Sequence, residues 1–235
     1  MIVPVHIAIV RAALGETLAP EALAVVARAN ARCDIYQWQA ERHFDSARDT
    51  AELGALWSRG LRRYLTLAVE RAAPAGAAGD TPRDQHGALR ALGMASHALA
   101  DFYAHTNWVE IYGADAPPAP LLGARWPAEA LPAGLASGYF SLRYGIRGCP
   151  LRDGVCVPPE SYRYCHETLN KDAPTRGHGA DPMTPGGPTY HAVAVRLAKD
   201  ATRALWAALK AEAAAAAGDE SRARQALARL ARTSV

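Results

Sequence analysis

No stretch of the chain stays apolar for the roughly 20 residues that a membrane-spanning helix requires. The opening "MIVPVHIAIVRAALGETL" is apolar, but it has neither a basic leader nor a small-residue cleavage site. It reads as the first helix of a fold, not as a signal peptide. The expected location is therefore cytoplasmic, or outside the cell by a signal-independent route. An excess of one charge is also missing. The 26 Lys and Arg residues face 23 Asp and Glu, for a net charge of +3, which is too even to argue for nucleic acid or an anionic membrane. The four cysteines form no C-x-x-C pair, so their spacing is unlike a zinc ribbon. Cys149 and Cys156 bracket "CPLRDGVC", a loop that a disulfide would close, while Cys33 and Cys165 are far apart in sequence. Free or buried thiols are the equal alternative. Internal repeats are absent, and alternating β pattern nearly so.

What the chain does have is length and helical period. Its 235 residues are ample for a real core, and 50% hydrophobic with 21% charged residues is a globular profile. "PEALAVVARANARC" places Pro20 where a first helical turn favours proline. "DSARDTAELGALWSRGLRRYLTLAVERAA" opens on Asp45 as an N-cap and sets Leu53, Leu56, Trp57, Leu61, Tyr64 and Leu65 on one stripe. Residues 72 to 82 read as a linker. A long helix is expected from about Arg83 to about Val109, another from near Tyr190, and a last one over "ESRARQALARLAR". Residues 113–187 are rich in Pro and Gly and lack helical period. A segment that long is not an idle loop, so it is expected to carry part of a site. The fold class is all-α: one helical domain over residues 1–235 with a long irregular insertion.

The polar residues on the long helix do not suit an apolar face. In "HALADFYAHTNW" each i+4 step drifts only about 40°, so His97, Asp101 and His105 share an arc of about 80°. Leu89, Leu92, Gly93 and Ala100 make that side inward, and Gly93 leaves room beside the His97 ring. A core Asp–His hydrogen bond accounts for two such groups. Three in register point to a bound metal, because an unpaired buried carboxylate is costly. Further candidates are His6 in "VPVHIAIV", Asp34 in "ANARCDIYQW", His43 and Asp45 in "ERHFDSARD", His166, Glu167 and Asp172 in "YCHETLNKDAP", and His191 in "TYHAVAV". His86 and His178 are expected in solvent.

With "ERHFD" upstream and "LNKD" downstream of "HALADFYAHTNWVE", the sequence from about His6 to about Leu205 resembles the Het-C family. That group is related to bacterial zinc-dependent phospholipases C and more remotely to zinc-dependent single-strand nucleases. The resemblance implies a compact helical bundle of that type holding two to three zinc ions. It implies one ion on His43, His97 and Asp101, with Asp101 bridging to a second ion that takes His6. A third would take His105 with His166 or His191, and Asp172 or Glu167 as the acid. Asp34 would be a ligand or the general base, so Asp34 and Asp101 are the catalytic carboxylates. Two departures stand out: no cleavage frees an N-terminal amine for the centre, and the late H-x3-E pattern is broken.

The implied activity is phosphodiester hydrolysis of phospholipase C type, by a hydroxide held between two ions. Lys171 is expected to bind a substrate phosphate or pair with Asp172, and Tyr103 to shape the mouth of the site or to pack. Phe102 and Trp108 read as packing. Leu121, Leu122, Trp126, Leu131, Tyr139 and Phe140 either lean on a phospholipid surface or form a lid over the domain's own core. A single-strand nuclease is the enzymatic alternative, although no basic stripe with interleaved aromatics supports a nucleic acid partner. A metal-stabilised interaction or toxin-associated module without catalysis is the non-enzymatic one.

Overall fold

The computed structural model describes residues 1–72 and 81–232, so the expected linker lies outside the described residues except at its ends. The first helix, α1 (Val3–Leu14), is followed by α2 (Pro20–Arg32) and the one-turn α3 (Ala40–His43). Next come α4 (Thr50–Trp57), a π-turn over Ser58–Arg62, and α5 (Arg63–Ala72). The long α6 spans Pro82–His105 and is followed by the short α7 (Trp108–Tyr112) and α8 (His166–Leu169). The chain closes with α9 (Tyr190–Ala217) and α10 (Glu220–Ala231). A two-residue-per-strand hairpin, β1 (Leu151–Arg152) and β2 (Val155–Cys156), pairs antiparallel with Leu151 opposite Cys156. The molecule is mostly helical. No helix among the described residues is long and apolar enough to cross a membrane.

Helix α6 is the axis of the bundle and packs against α2, α5 and α9. From Gly87 onward only Arg90 and Met94 escape burial. Alanines at 88, 91, 95, 98, 100 and 104 let neighbouring helices approach on several sides, while Leu89, Leu92, Leu99 and Phe102 fill the space between them. Burying each of these larger side chains is worth roughly 1.5–3 kcal/mol. The predicted stripe of Leu53, Leu56, Trp57, Leu61, Tyr64 and Leu65 is buried throughout. Gly93 is needed for helix packing, not for an imidazole. A Cβ there would sit 2.4 Å from the Val26 carbonyl oxygen and 2.8 Å from the Ala29 methyl.

Two helix boundaries differ from expectation, and both differences bear on the site. Asp49, not Asp45, caps α4, accepting from the Glu52 backbone N–H at 2.9 Å. That leaves Asp45 available for other contacts. Helix α6 also stops at His105 and does not run on to Val109. Thr106 is extended, and its hydroxyl donates back to the Phe102 carbonyl at 2.6 Å. Asn107 then pairs with the irregular segment, its side chain accepting from Ala136 N at 2.9 Å and donating to the Gly134 carbonyl at 3.0 Å.

Residues 113–187 fold back over the helices. Trp57 Nε1 donates to the Leu121 carbonyl at 2.7 Å, Trp108 Nε1 to the Pro117 carbonyl at 2.8 Å, and the Ala119 N–H to the Tyr103 hydroxyl at 2.9 Å. Leu121, Leu122, Trp126 and Leu131 pack on the domain's own core. Tyr103, expected near substrate, is fully buried beneath this strap. The disulfide joins Cys149 to Cys165, not to Cys156, whose thiol instead donates to Glu167 Oε2 at 2.5 Å.

Candidate metal centre

Five pieces of chain bring the donors together, the last being the segment of His166 and Asp172. Helix α6 supplies His97, Asp101 and His105 on one face. His6 comes from α1, and Asp34 follows the C-terminal end of α2. His43 and Asp45 flank Phe44, in a loop where Phe44 and Ser46 adopt positive φ of 51° and 61°. Such conformations are disfavoured for residues with a Cβ and persist only where surrounding contacts impose them. The contacts are evident. The Ser46 N–H donates to the Gly138 carbonyl and the Ala47 N–H to the Ser137 hydroxyl, both at 2.8 Å. The same strap binds α6 and α8, through Gly138 N to the His105 carbonyl at 3.1 Å and His166 N to the Tyr139 carbonyl at 3.0 Å. A Cβ on Gly138 would lie 2.5 Å from His166 Cα.

At the deeper end, Asp101 Oδ2 is 2.9 Å from His43 Nδ1 and 3.0 Å from His97 Nε2, and those two nitrogens are 3.2 Å apart. His6 Nε2 is 3.2 Å from Asp101 Oδ1, and its ring stacks on His97 at 4.1 Å between centroids. Asp34 Oδ1 lies 3.8 Å from His97 Nε2. His6, Asp34, His97 and Asp101 each present one donor atom, all within 4.8 Å of one another. Burial lowers the pKa of His6, aided by the Met1 amine, and that of His97, aided by His6. Burial alone would raise the Asp101 carboxyl. The Met1 amine, which touches it, and the His97 and His105 rings outweigh that and hold it well below the carboxylate range.

Nearer the surface, His166 Nδ1 is 2.9 Å from Asp45 Oδ1, and His105 Nδ1 is 3.4 Å from the same oxygen. His105 Nδ1 is also 2.9 Å from the His43 carbonyl, which can only accept. That contact fixes a proton on Nδ1, while Nε2 lies 2.8 Å from Asp172 Oδ1. Asp45, His105 and His166 form a second donor group, and Asp101, His105 and Asp172 a third. Burial works against charging His105, but Asp45, Asp172 and Asp101 together raise its pKa to about 9. Asp34 is raised to about 6, by burial and then by Asp101. Met1, Asp34, His166 and Asp172 line one side of a cavity of about 670 Å³, with Ile2, Val3, Phe140 and Leu142 on its apolar wall.

Of the residues singled out from sequence, His6, Asp34, His43, His97, Asp101, His105 and His166 converge here. His191 does not join the donor groups. Its Nδ1 is 2.7 Å from the Lys171 carbonyl, which steadies the backbone beside Asp172. Lys171 is fully buried, and its ammonium donates to Glu110 and the Leu169 carbonyl at 2.8 Å and to the Thr106 carbonyl at 3.0 Å. All three donors are used, so the expected role on a substrate phosphate is withdrawn. His178, expected in solvent, is only partly exposed, with Nε2 2.9 Å from Glu110 Oε1. Asp45, read from sequence both as a helix cap and as a candidate, joins His105 and His166 in the site. Glu167 contacts Cys156, which leaves Asp172 as the acid beside His105.

The comparison with known families decides the kinship. Residues 5–133 match the VWA7 N-terminal domain. The chain belongs to that family. This overturns the Het-C resemblance and its link to the phospholipases C and nucleases, because the matched family is neither of these. The VWA7 N-terminal domain match includes His6, Asp34, His43, Asp45, His97, Asp101 and His105, while His166 and Asp172 lie beyond it. No curated protein and no solved structure matches the chain.

Proposed function

We propose that this centre binds divalent metal ions and that the protein is a metal-dependent phosphodiester hydrolase. The observation that carries the metal is the close approach of His43 Nδ1 and His97 Nε2 to each other and to Asp101 Oδ2 in the core, with His6 Nε2 3.2 Å from Asp101 Oδ1. Hydrogen bonds satisfy at most part of a triangle in which two imidazole nitrogens and one carboxylate oxygen are mutually 2.9–3.2 Å apart. A shared cation satisfies all three. Donors set 2.0–2.1 Å from one tetrahedral ion lie about 3.3 Å apart, close to these spacings. The all-histidine-and-carboxylate set suits zinc. His6, His43, His97 and Asp101 would hold the deep position, and Asp45, His105, His166 and Asp172 the outer one. Four carboxylates, counting Asp34, would be balanced by two divalent ions.

Bound there, such ions supply charge that draws in phosphate oxygens and makes a water acidic. The chain's own residues do the rest. Asp34 stands between the deep donors and the cavity, with side-chain exposure of 17% and Oδ2 unpartnered, placed to take a proton from that water. Arg176 lines the cavity and would meet a phosphate oxygen. Val3 and Leu142 on the rim, with Trp38 62% exposed in the adjoining groove, favour a phospholipid over a single-stranded nucleic acid.

A second reading rests on depth. His6, His97 and Asp101 are completely buried, which also suits a structural ion in a domain without catalysis. Elemental analysis and hydrolysis of phosphatidylcholine vesicles, with single-stranded DNA in parallel, separate these readings. The enzyme releases a phosphorylated head group, and a chelator or Asp101→Asn abolishes release. Bound metal with no hydrolysis of either substrate assigns the structural role.

A further inference from the structure

A second concentration of charge lies away from the centre, where α2 packs on α6. A groove of about 230 Å³ there is bordered by Arg28 and Arg32 from α2 and by His86 and Arg90 from α6, over Val25 and Ala29. Val25 and Ala29 are buried, whereas the three guanidiniums are exposed. On α2 the two guanidiniums are one turn apart, an arrangement of like charges that costs a few tenths of a kcal/mol, and on α6 His86 stands one turn before Arg90. The three guanidiniums thus face one groove from both helices.

Among the described residues no carboxylate forms an ion pair with Arg28, Arg32 or Arg90. Arginine–carboxylate pairs form there at Arg48, Arg62, Arg203 and Arg224, not at Arg28, Arg32 or Arg90. Asp84, close by on α6, accepts from the Thr81 hydroxyl at 2.5 Å in the helix cap. Guanidiniums bind phosphate through paired N–H donors at fixed angles, and three around one depression match a multiply charged anion. The groove is smaller than the roughly 300–1,000 Å³ of ordinary ligand pockets, so it suits one or two phosphate groups and not a whole nucleotide.

We propose that the α2–α6 groove is an anion site, separate from the metal centre, for a compact multivalent phosphate held by Arg28, Arg32 and Arg90. Neither the metal nor hydrolysis is required for it. The site is tested with pyrophosphate, titrated calorimetrically into Asp101→Asn protein dialysed against chelator, so that ions in the centre do not compete. One pyrophosphate is expected per chain, bound at least tenfold more weakly when Arg28→Gln and Arg90→Gln are added. Arg32→Glu, a separate surface change, is expected to abolish binding. Circular dichroism of each variant establishes that it is folded. No binding to the parent protein, or equal affinity in the folded arginine variants, overturns the proposal. Sedimentation with phosphatidylcholine vesicles containing a phosphomonoester lipid distinguishes the source of the phosphate. Arginine-dependent co-sedimentation assigns a lipid head group, and pyrophosphate binding without it assigns a soluble anion.

Discussion

His43 Nδ1 and His97 Nε2 lie 3.2 Å apart, although 54 residues separate them in sequence, and both face the same oxygen of Asp101. The arrangement is unfavourable as a hydrogen-bond network and favourable as a ligand set. The cost of keeping it in the core is carried by the helices around α6 and by the strap over residues 134–140. Several consequences can be measured.

His191 acts at one remove from the centre, holding the Lys171 carbonyl and so the position of Asp172. Replacing a residue that orients a ligand typically costs 10–100-fold in metal affinity. His191→Phe is expected to weaken the outer ion by about that factor and to leave the deep one in place. Competition with a chromophoric chelator reads the two steps separately. Equal loss of both ions would contradict this role.

Glu110 accepts from Lys171 and His178. Burial tends to raise its pKa, but Lys171 and His178 more than offset this and lower it from the ordinary 4.5. A carboxylate so depressed stabilises the fold above its unfolded value, and the contribution is lost as pH falls through the lower folded value. Glu110→Gln also leaves a buried ammonium without its counter-charge, a loss of about 3–5 kcal/mol in comparable cases. The stability gap between wild type and Glu110→Gln in urea is expected to be full at neutral pH and to narrow below about pH 4.5. A gap independent of pH would argue against the ion pair.

Gly93 is where α6 meets α2. A Cβ has no room there, because it would meet the Val26 carbonyl oxygen and the Ala29 methyl, neither of which can swing aside. Gly93→Ala is expected to destabilise the fold by about 1–3 kcal/mol, as overpacking does. Thermal unfolding measures it, and an unchanged midpoint would show that the two helices separate freely.

The Cys149–Cys165 bridge closes a sequence separation of 16 residues that ends beside His166. By loop-closure entropy such a bridge contributes about 3 kcal/mol. Peptide mapping without reductant should recover Cys149 linked to Cys165. Cys165→Ser should lower stability by a similar amount. A peptide linking Cys149 to Cys156 would refute the pairing.

The half of the centre carried by α6 was legible in the sequence, because i+4 spacing on an inward face is a local property. His6, Asp34 and His43 were also identifiable as polar residues out of place at or near helix ends. Asp45 was legible both as a candidate and as a helix cap, and only the hydrogen bond from the Glu52 N–H to Asp49 decides between the two roles. The roles of His191 and Lys171 depend on how an irregular segment folds back across the bundle, which no period records. Cysteine pairing has the same limit, since four cysteines allow three connectivities. Gly93 does mark a need for space, but the space belongs to α2 and not to His97.

The most direct test is the metal content of the purified protein by elemental analysis, for wild type and for Asp101→Asn after equilibration with zinc and gel filtration. At least two ions per chain in the wild type, with the deep ion lost in a folded Asp101→Asn, is the predicted result. Fewer than one ion per chain in the wild type, or the same content in both proteins, would contradict a metal centre built on Asp101.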